Sequence, residues 1–340
     1  MLQKYKMNEE PPFFNIGAEN FLKDKQFFYY NKPVKVYKNF SDFSGITIAI
    51  PTHNGGRTIK SMLGSVINRL EELPLPPEKE IVICLDHCND DTKLAVKDVV
   101  NRIATDNVII KLIDNHYSKG KALALNSIFE NSSKEIFCSI DDDVILEKMS
   151  LVNLLKTLIE NPEVRCVFSV WKRLPFKSGN PWKLFWHYVL GVKFDIQPYV
   201  EPREIMRGAC MMFRRENFVK FPPVLNEDQF LQYIYWPKTR EVQDSIVYFN
   251  SVSSIFDYYR RSLRIMAGSK QLSRYFTKER IKECPQSFAS KIDYAKIAGL
   301  PLRQGLAFLL YLFIKHILNI FKKIRLFFNS NYKWFRFKQG

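Results

Sequence analysis

The chain has 340 residues, 46% hydrophobic and 14% aromatic, which excludes disorder as its general state. With 13 Gly and 17 Pro it is neither collagen-like nor low-complexity, and a chain this long buries enough apolar surface to need no disulfide or metal staple. Lys and Arg (51) exceed Asp and Glu (35) by 16, an excess that suits nucleic acid, phosphorylated ligands and anionic membranes equally.

Residues 1–44 are polar and aromatic without a clear period, carry Pro11, Pro12 and Pro33, and read as an irregular N-terminal extension. They lack the apolar core of a signal peptide. From Gly45 the pattern changes. ITIAI (46–50), closed by Pro51, reads as a buried strand. Ile59, Leu63, Val66, Ile67 and Leu70 recur at helical spacing within 57–72. EIVICLD (80–86) reads as a second strand, 91–104 as a helix, NVIIKLID (107–114) as a third strand, 120–131 as a helix and EIFCSID (135–141) as a fourth strand. Four strand–helix alternations in about 100 residues predict βαβ units and a parallel sheet.

Ligands of such sheets bind outside the carboxyl ends of the strands. Those ends carry Pro51-Thr52-His53-Asn54, Asp86-His87-Cys88-Asn89-Asp90-Asp91, Asp114-Asn115 and Asp141-Asp142-Asp143. No strand is followed by G-x-G-x-x-G, and no G-x-x-x-x-G-K-[ST] occurs, which disfavours a dinucleotide fold and a P-loop enzyme. The six cysteines include no CxxC pair and read as buried free thiols of a reducing, cytoplasmic compartment. Cys84, His87 and Cys88 have no second cluster to complete a four-ligand site. Beyond the fourth strand, 151–160 read as a helix, 164–170 and 209–213 as strands, and 181–200 as an aromatic-rich stretch. Residues 259–282 hold eight Lys or Arg against Glu279 alone, and 301–340 hold eight and no acid.

Three carboxylates in a row at a strand end repel one another. A divalent cation relieves that, and hard oxygen ligands suit Mg²⁺ or Mn²⁺, which bind substrate phosphates as well. The plain alternative is an exposed acidic turn or helix cap.

At this point residues 46–143 resemble the nucleotide-binding half of a family 2 glycosyltransferase with the GT-A fold. ITIAIPTHN resembles the first strand and its PTxN turn. ICLDHCNDDT resembles the second strand and its acidic loop. NHYSKGKALALN resembles the segment in which a Gly and a basic residue precede an Ala-rich helix, and IDDD resembles the DxD motif. His53 stands where the family often has an aromatic. The resemblance implies an α/β, Rossmann-like, mostly parallel sheet flanked by helices, and a nucleoside-diphosphate sugar donor, UDP-sugar favoured, with Mn²⁺ or Mg²⁺. It implies donor contacts from Pro51, Thr52, Asn54, Asp86, Lys121, Asp141 and Asp142, with Asp86 accepting from the base and Lys121 near the base or the diphosphate. Asp143, with Asp141, would hold the metal.

The second half resembles the family less closely. RGACMMFRR (207–215) resembles the strand after the acceptor loop, where Gly208 lets the backbone approach the donor sugar. NEDQFL (226–231) resembles the ED motif, which implies Asp228 as general base, with Glu227 second, in an inverting transfer. Helix capping by Asn226 with two first-turn acids explains the same residues. Arg261-Ser262-Leu263-Arg264-Ile265 resembles the QxxRW motif of processive members with Arg for Gln and Ile for Trp, which puts processive action in doubt. Arg261 and Arg264 would lie at the sugar and acceptor.

GLAFLLYLFI (305–314) leads into a basic amphipathic helix, with Lys315, Asn319, Lys322 and Lys323 opposite its apolar side. The charges interrupt it too early for a span, so it reads as an interfacial helix with a cationic face toward anionic headgroups, extended by Trp334, Phe335 and Phe337. A helix packed on the catalytic domain fits the same pattern. The expected organisation is an extension (1–44), a nucleotide-sugar half (45–145), an acceptor half (146–285) and a helical tail (286–340). The expected protein is a peripheral enzyme on the cytoplasmic face of a membrane, with a lipid-linked or surface glycan acceptor and no nucleic acid partner. A nucleotidyltransferase is the second reading, with Gly55-Gly56-Arg57 a faint echo of its Gly-rich loop. A nucleic-acid binder is the third, without any finger, RNP-type or recognition-helix signature.

Overall fold

The computed structural model describes residues 42–74, 78–102, 108–196, 205–217, 220–285 and 299–328. The N-terminal extension through residue 41, and Trp334, Phe335 and Phe337, lie outside them. The strands are β1 (Gly45–Thr52), β2 (Glu78–Leu85), β3 (Val108–Asp114), β4 (Ile136–Ile140), β5 (Val144–Leu146), β6 (Cys166–Arg173), β7 (Cys210–Arg214) and β8 (Thr239–Phe249). The helices are α1 (Ile59–Glu71), α2 (Thr92–Arg102), α3 (Lys121–Glu130), α4 (Ser150–Glu160), α5 (Pro181–Asp195), α6 (Glu227–Tyr235), α7 (Ile255–Leu272), α8 (Lys278–Glu283) and α9 (Leu302–Phe328).

All eight strands form one sheet in the order β3-β2-β1-β4-β7-β6-β8-β5. The pairs β1–β2, β1–β4, β2–β3 and β6–β8 are parallel, whereas β7 runs against β4 and β6, and β5 against β8. Side chains alternate across the sheet with the period of two that a strand imposes. Ile46, Ile48, Ile50, Ile81, Ile83, Ile136, Cys138, Ile140, Cys210 and Met212 face the layer that includes α1 and α4. Ala49, Val82, Cys84, Phe137, Met211 and Phe213 face the layer that includes α3 and α6. Both faces are covered, so these strands are apolar throughout. On α1, Ile59, Met62, Leu63, Val66, Ile67 and Leu70 form the buried stripe.

Several elements differ from the sequence expectation. The 181–200 stretch contains α5, which starts at a Pro in its first turn after Asn180, whose side chain accepts from the Trp182 and Lys183 backbone N–H groups. The strand expected from residue 164 begins at Cys166 and runs on to Arg173. β8 pairs along most of β6 across a register shift at Ser169/Val170.

The tail helix corrects two expectations. Leu302–Arg325 is long and apolar enough, by length and composition, to cross a membrane, so the charges do not interrupt it too early. Its orientation is also reversed. Ala307, Phe308, Tyr311 and Ile314 are buried in a cluster with Val189, Leu190 and Val192 of α5 and Tyr258 of α7. Lys322 is 4% exposed and Lys315 half-buried, so both sit toward the body. Leu302, Leu306, Leu309, Phe313, Ile320 and Ile324 face outward.

Candidate active site

The carboxyl ends of β1, β2 and β4 open into a cavity of about 360 Å³. β7 belongs there because it runs antiparallel to β4. Ile140 pairs with Cys210, and the Asp141 N–H donates to the Ala209 carbonyl at 2.9 Å. The entry to β7, with Gly208, therefore meets the exit from β4. Pro51, Thr52, Asp86, Lys121, Asp141, Asp142, Asp143, Gly208, Glu227, Asp228, Arg261 and Arg264 all line the cavity. Residues as far apart in sequence as Pro51 and Arg264 are thus brought to one site.

Asn54 is the exception among the expected residues. Its backbone is left-handed (φ 55°), and its Oδ1 accepts from the Asn89 N–H at 2.9 Å. It holds the β1 and β2 turns together instead of lining the cavity. His53 does line it, and its Nδ1 donates to the Asp86 carbonyl at 2.7 Å.

The three aspartates are not equivalent. Asp142 is buried, and its carboxylate accepts from Thr52 Oγ1 at 2.5 Å, a bond from β1 that holds the β4 exit in place. Asp141 pairs with Lys121 Nζ at 2.5 Å, and Asp143 lines the cavity. Asp86 is 1% exposed; its oxygens accept from Asn115 Nδ2 at 2.8 Å and from the Gly120 N–H at 3.0 Å. A carboxylate has about four lone-pair sites, so Asp86 retains acceptor capacity toward the cavity.

Lys121 is held between two acids. Its ammonium pairs with Asp141 and with Glu227 Oε1, each at 2.5 Å, and donates to the Gly208 carbonyl at 3.1 Å. Burial alone would lower its pKa, but Asp141 and Glu227 raise it. Lys121 lines the cavity, where the resemblance implies the base or diphosphate, and its ion pairs link the β4 exit to α6.

Asp228 has a different environment from Glu227. Its carboxylate accepts from the Gly208 N–H at 3.2 Å and the Gln229 N–H at 2.7 Å. Burial, reinforced by the Glu227 charge, pushes its pKa up to about 6. Gly208 is required here by space: a Cβ would come 2.8 Å from Glu227 Oε1 and 3.1 Å from Lys121 Nζ. A Cβ at Gly268 would likewise stand 2.4 Å from the Asn226 side chain, so this glycine lets α7 lie against the start of α6. Asn226 spends its amide on Gln229 Oε1 and the Ile265 carbonyl, with no side-chain cap bond. The capping explanation of Asn226 therefore does not describe this helix start.

Arg261 and Arg264 reach the cavity from α7, one turn apart. Arg264 Nε is buried without a hydrogen-bond partner, a donor that suits an anionic ligand. Arg261 packs over Trp171 (5.9 Å to the ring centroid), as does Arg207 (5.8 Å). Trp171, Gln232 and Asn250 also line the cavity and carried no sequence signal, since none belongs to a spaced motif. Among the described residues, no group of three or more His, Cys, Asp or Glu is arranged to enclose a metal. Asp141 and Asp143 are hard oxygen donors at the cavity. That fits a cation of the Mg²⁺ type, which takes one or two carboxylates and completes its shell with substrate phosphates and water.

The family model described as Glycosyl transferase family 2 matches residues 47–221, more than half of the chain. The poly-beta-1,6-N-acetyl-D-glucosamine synthase of Staphylococcus epidermidis is 28% identical over 161 residues, which is 47% of this chain and 34% of that protein. The probable glycosyltransferase YdaM of Bacillus subtilis is 28% identical over 134 residues, 38% of this chain and 30% of that protein. The chain thus spans about a third of the length of these relatives. Among solved structures, the mannosyltransferase PcManGT from Pyrobaculum calidifontis, in complex with GDP-Man and Mn²⁺, matches with a TM-score of 0.54 at 18% identity, covering 87% of this chain and 84% of that one. The strand order, the acidic exits of β2 and β4 beside the Pro51-Thr52 end of β1, and the matched span agree: the chain has the GT-A fold and belongs to glycosyl transferase family 2.

Proposed function

We propose that the protein transfers a sugar, with inversion, from a nucleoside-diphosphate sugar to a glycan or lipid-linked acceptor, with Asp228 as general base. The observation that carries this is the arrangement of one cavity: Asp228, which forms no salt bridge among the described residues, shares it with Asp143 and with Arg264, whose Nε is buried without a hydrogen-bond partner. In the transfer, the acceptor oxygen attacks the anomeric carbon as the bond from that carbon to the diphosphate oxygen breaks. The acceptor proton passes to Asp228, and the nucleoside diphosphate leaves. Asp143 and Asp141 would hold a divalent cation, which supplies charge neutralisation for the leaving diphosphate. Arg264 would add a donor to the same oxygens. Asp86 would orient the base, and Asp142, through Thr52, would fix the β4 exit against β1.

The named relatives indicate the first donors to try. One is named for an N-acetylglucosamine polymer, and the solved neighbour holds GDP-mannose with Mn²⁺. Binding of UDP-N-acetylglucosamine and GDP-mannose with and without Mn²⁺, followed by release of the diphosphate, tests the reading. The nucleotidyltransferase alternative finds no support in the cavity, because none of Gly55, Gly56 and Arg57 lines it and the Gly56 N–H donates to Asp90 Oδ2.

The outward stripe of α9 supports a membrane-facing position. Leu302, Leu306, Leu309, Phe313, Ile320 and Ile324 run along one side of the helix, and Trp182, Phe185 and Phe256 are exposed on α5 and α7, which also pack against α9. Exposed apolar residues on three helices that pack together suit an interaction surface. With its other side packed on the body, α9 would lie along the cytoplasmic surface of a membrane rather than cross it.

A further inference from the structure

A second charged cluster lies where α5, α7 and α9 meet. Tyr258 and Arg261 stand one turn apart on α7, and Tyr311 and Lys315 one turn apart on α9. Tyr258 Oη and Tyr311 Oη are 3.5 Å apart, so the turns of α7 and α9 that carry Arg261 and Lys315 adjoin. Lys193 enters from α5, its ammonium 4.6 Å from the centroid of Phe194 and 6.0 Å from that of Tyr258. Lys322, two turns beyond Lys315, is 4% exposed. Among the described residues, no carboxylate stands within salt-bridge distance of Lys193, Arg261, Lys315 or Lys322, and Glu241 is already beside Arg207 at 3.8 Å. Burial, then the charges of Arg261, Lys315, Arg207 and Lys322, push the Lys193 ammonium down to about 7, whereas the Arg261 guanidinium also faces the charges of Asp143, Asp141 and Asp228 at the donor site.

Buried lysines without salt-bridge partners, as Lys193 and Lys322 are among the described residues, are costly, and an anion beside them relieves that cost. Four cations call for more than one negative charge. A phosphate monoester carries close to two and a diphosphate more, with several strong acceptor oxygens. Lys193, Lys315 and Lys322 do not line the donor cavity, whereas Arg261 does. The cluster therefore adjoins the donor site and is separate from it, joined through the residue nearest Asp143 and Asp228.

We propose that Lys193, Arg261, Lys315 and Lys322 bind a phosphate or diphosphate group carried by the sugar acceptor. This rests on the glycosyl-transfer reading and names its acceptor class: a phosphate-bearing molecule whose anionic end lies beneath α9 while its attacking hydroxyl reaches Asp228. The apolar stripe on the outside of α9 would serve an acceptor anchored in lipid; a soluble sugar phosphate would use the same cations.

The test uses the full chain without divalent cation, so that the donor site contributes little. Thermal shift is read with inorganic pyrophosphate. Flotation is read with phosphatidylcholine vesicles containing a minor fraction of either phosphatidic acid or phosphatidylserine. The variants are Lys193→Gln with Lys322→Gln, and Lys315→Gln alone, which sits at a half-exposed position and keeps the test informative should the double variant not fold. A charge-assisted bond is worth about 1.5–3 kcal/mol, so each lost cation weakens anion binding roughly tenfold or more. Stabilisation by pyrophosphate that the variants lose supports the site with a soluble source. Preference for phosphatidic acid over phosphatidylserine that the variants lose supports it with a lipid source. The variants themselves melt higher than the wild type, because unpaired buried charge is removed. No response to either ligand, or a response the variants keep, overturns the proposal. Nucleotide-sugar binding with Mn²⁺ is measured in parallel and stays unchanged in the variants. Its absence in the wild type would count against glycosyl transfer and leave the anion result standing.

Discussion

Asp228 gains its proton affinity from burial beside Glu227, and that has two opposite consequences with pH. The folded-state pKa of about 6 lies above the ordinary value of 3.8. Between those values the folded chain keeps a proton that the unfolded chain has lost, so this group's contribution to stability falls as pH rises through about 4 to 6. A general base needs the opposite charge state, so kcat/KM is expected to rise with pH to a plateau above about 6. Asp228→Asn should lower turnover by about 10²–10⁴-fold. It should also abolish that acid limb and raise stability near neutral pH by up to about 3 kcal/mol. Rate–pH profiles and urea melts of the two proteins read all three effects, and an unchanged limb in the variant would assign it to another group. Glu227 is the poorer base because its charge is already shared with Lys121.

Among elements, the Lys121 bridge decides how the two ends of the cavity are joined. α3 supplies the lysine, β4 supplies Asp141 and α6 supplies Glu227. Glu227 is 6% exposed, so Lys121→Met would leave it buried and unpaired, at a cost of about 3 kcal/mol. Adding Glu227→Gln should recover much of that loss, since the buried carboxylate is then gone and Asp141, whose side chain is 28% exposed, keeps contact with solvent. Chemical denaturation of the single and double variants measures the coupling. Equal loss in both would show that the pair contributes little. The elements themselves were legible in the sequence to different degrees, for physical reasons. β1, β2 and β4 are buried on both faces, so they read as largely apolar runs, β2 and β4 ending in acids and β1 in Pro51-Thr52. β8 (TREVQDSIVYF) mixes polar and apolar residues across a register shift, and nothing in it announces a strand. Trp171 reaches the cavity from the far part of β6, in a position set by sheet order and by no local motif. Asn54 sits in a legible turn, but its left-handed backbone directs its side chain to Asn89.

Over the whole molecule, the distribution of charge and apolar surface is the main departure from what the sequence suggests. Lys315 and Lys322 are seven residues apart and share a stripe with Tyr311, which is the buried side of α9. Periodicity identified the two faces of this helix but not which one the body would cover, because that depends on the aromatic surface of α5 and α7. The basic excess is therefore partly internal. Replacing outward residues, as in Leu309→Lys with Phe313→Lys, should weaken vesicle binding roughly tenfold or more for each position, since burying such a side chain is worth about 1.5–3 kcal/mol. It should leave the melting temperature nearly unchanged, because Leu309 is 60% and Phe313 63% exposed. Co-flotation with and without the substitutions checks this, and retained binding would show that α9 faces something other than lipid. The most direct test of the donor site is divalent-dependent release of nucleoside diphosphate from a panel of nucleotide sugars, wild type against Asp143→Ala. Release that requires Mn²⁺ or Mg²⁺, and that falls at least about 100-fold in a variant that still folds, is the expected result. Full activity in Asp143→Ala, or no binding of any nucleotide sugar by the wild type, would contradict it.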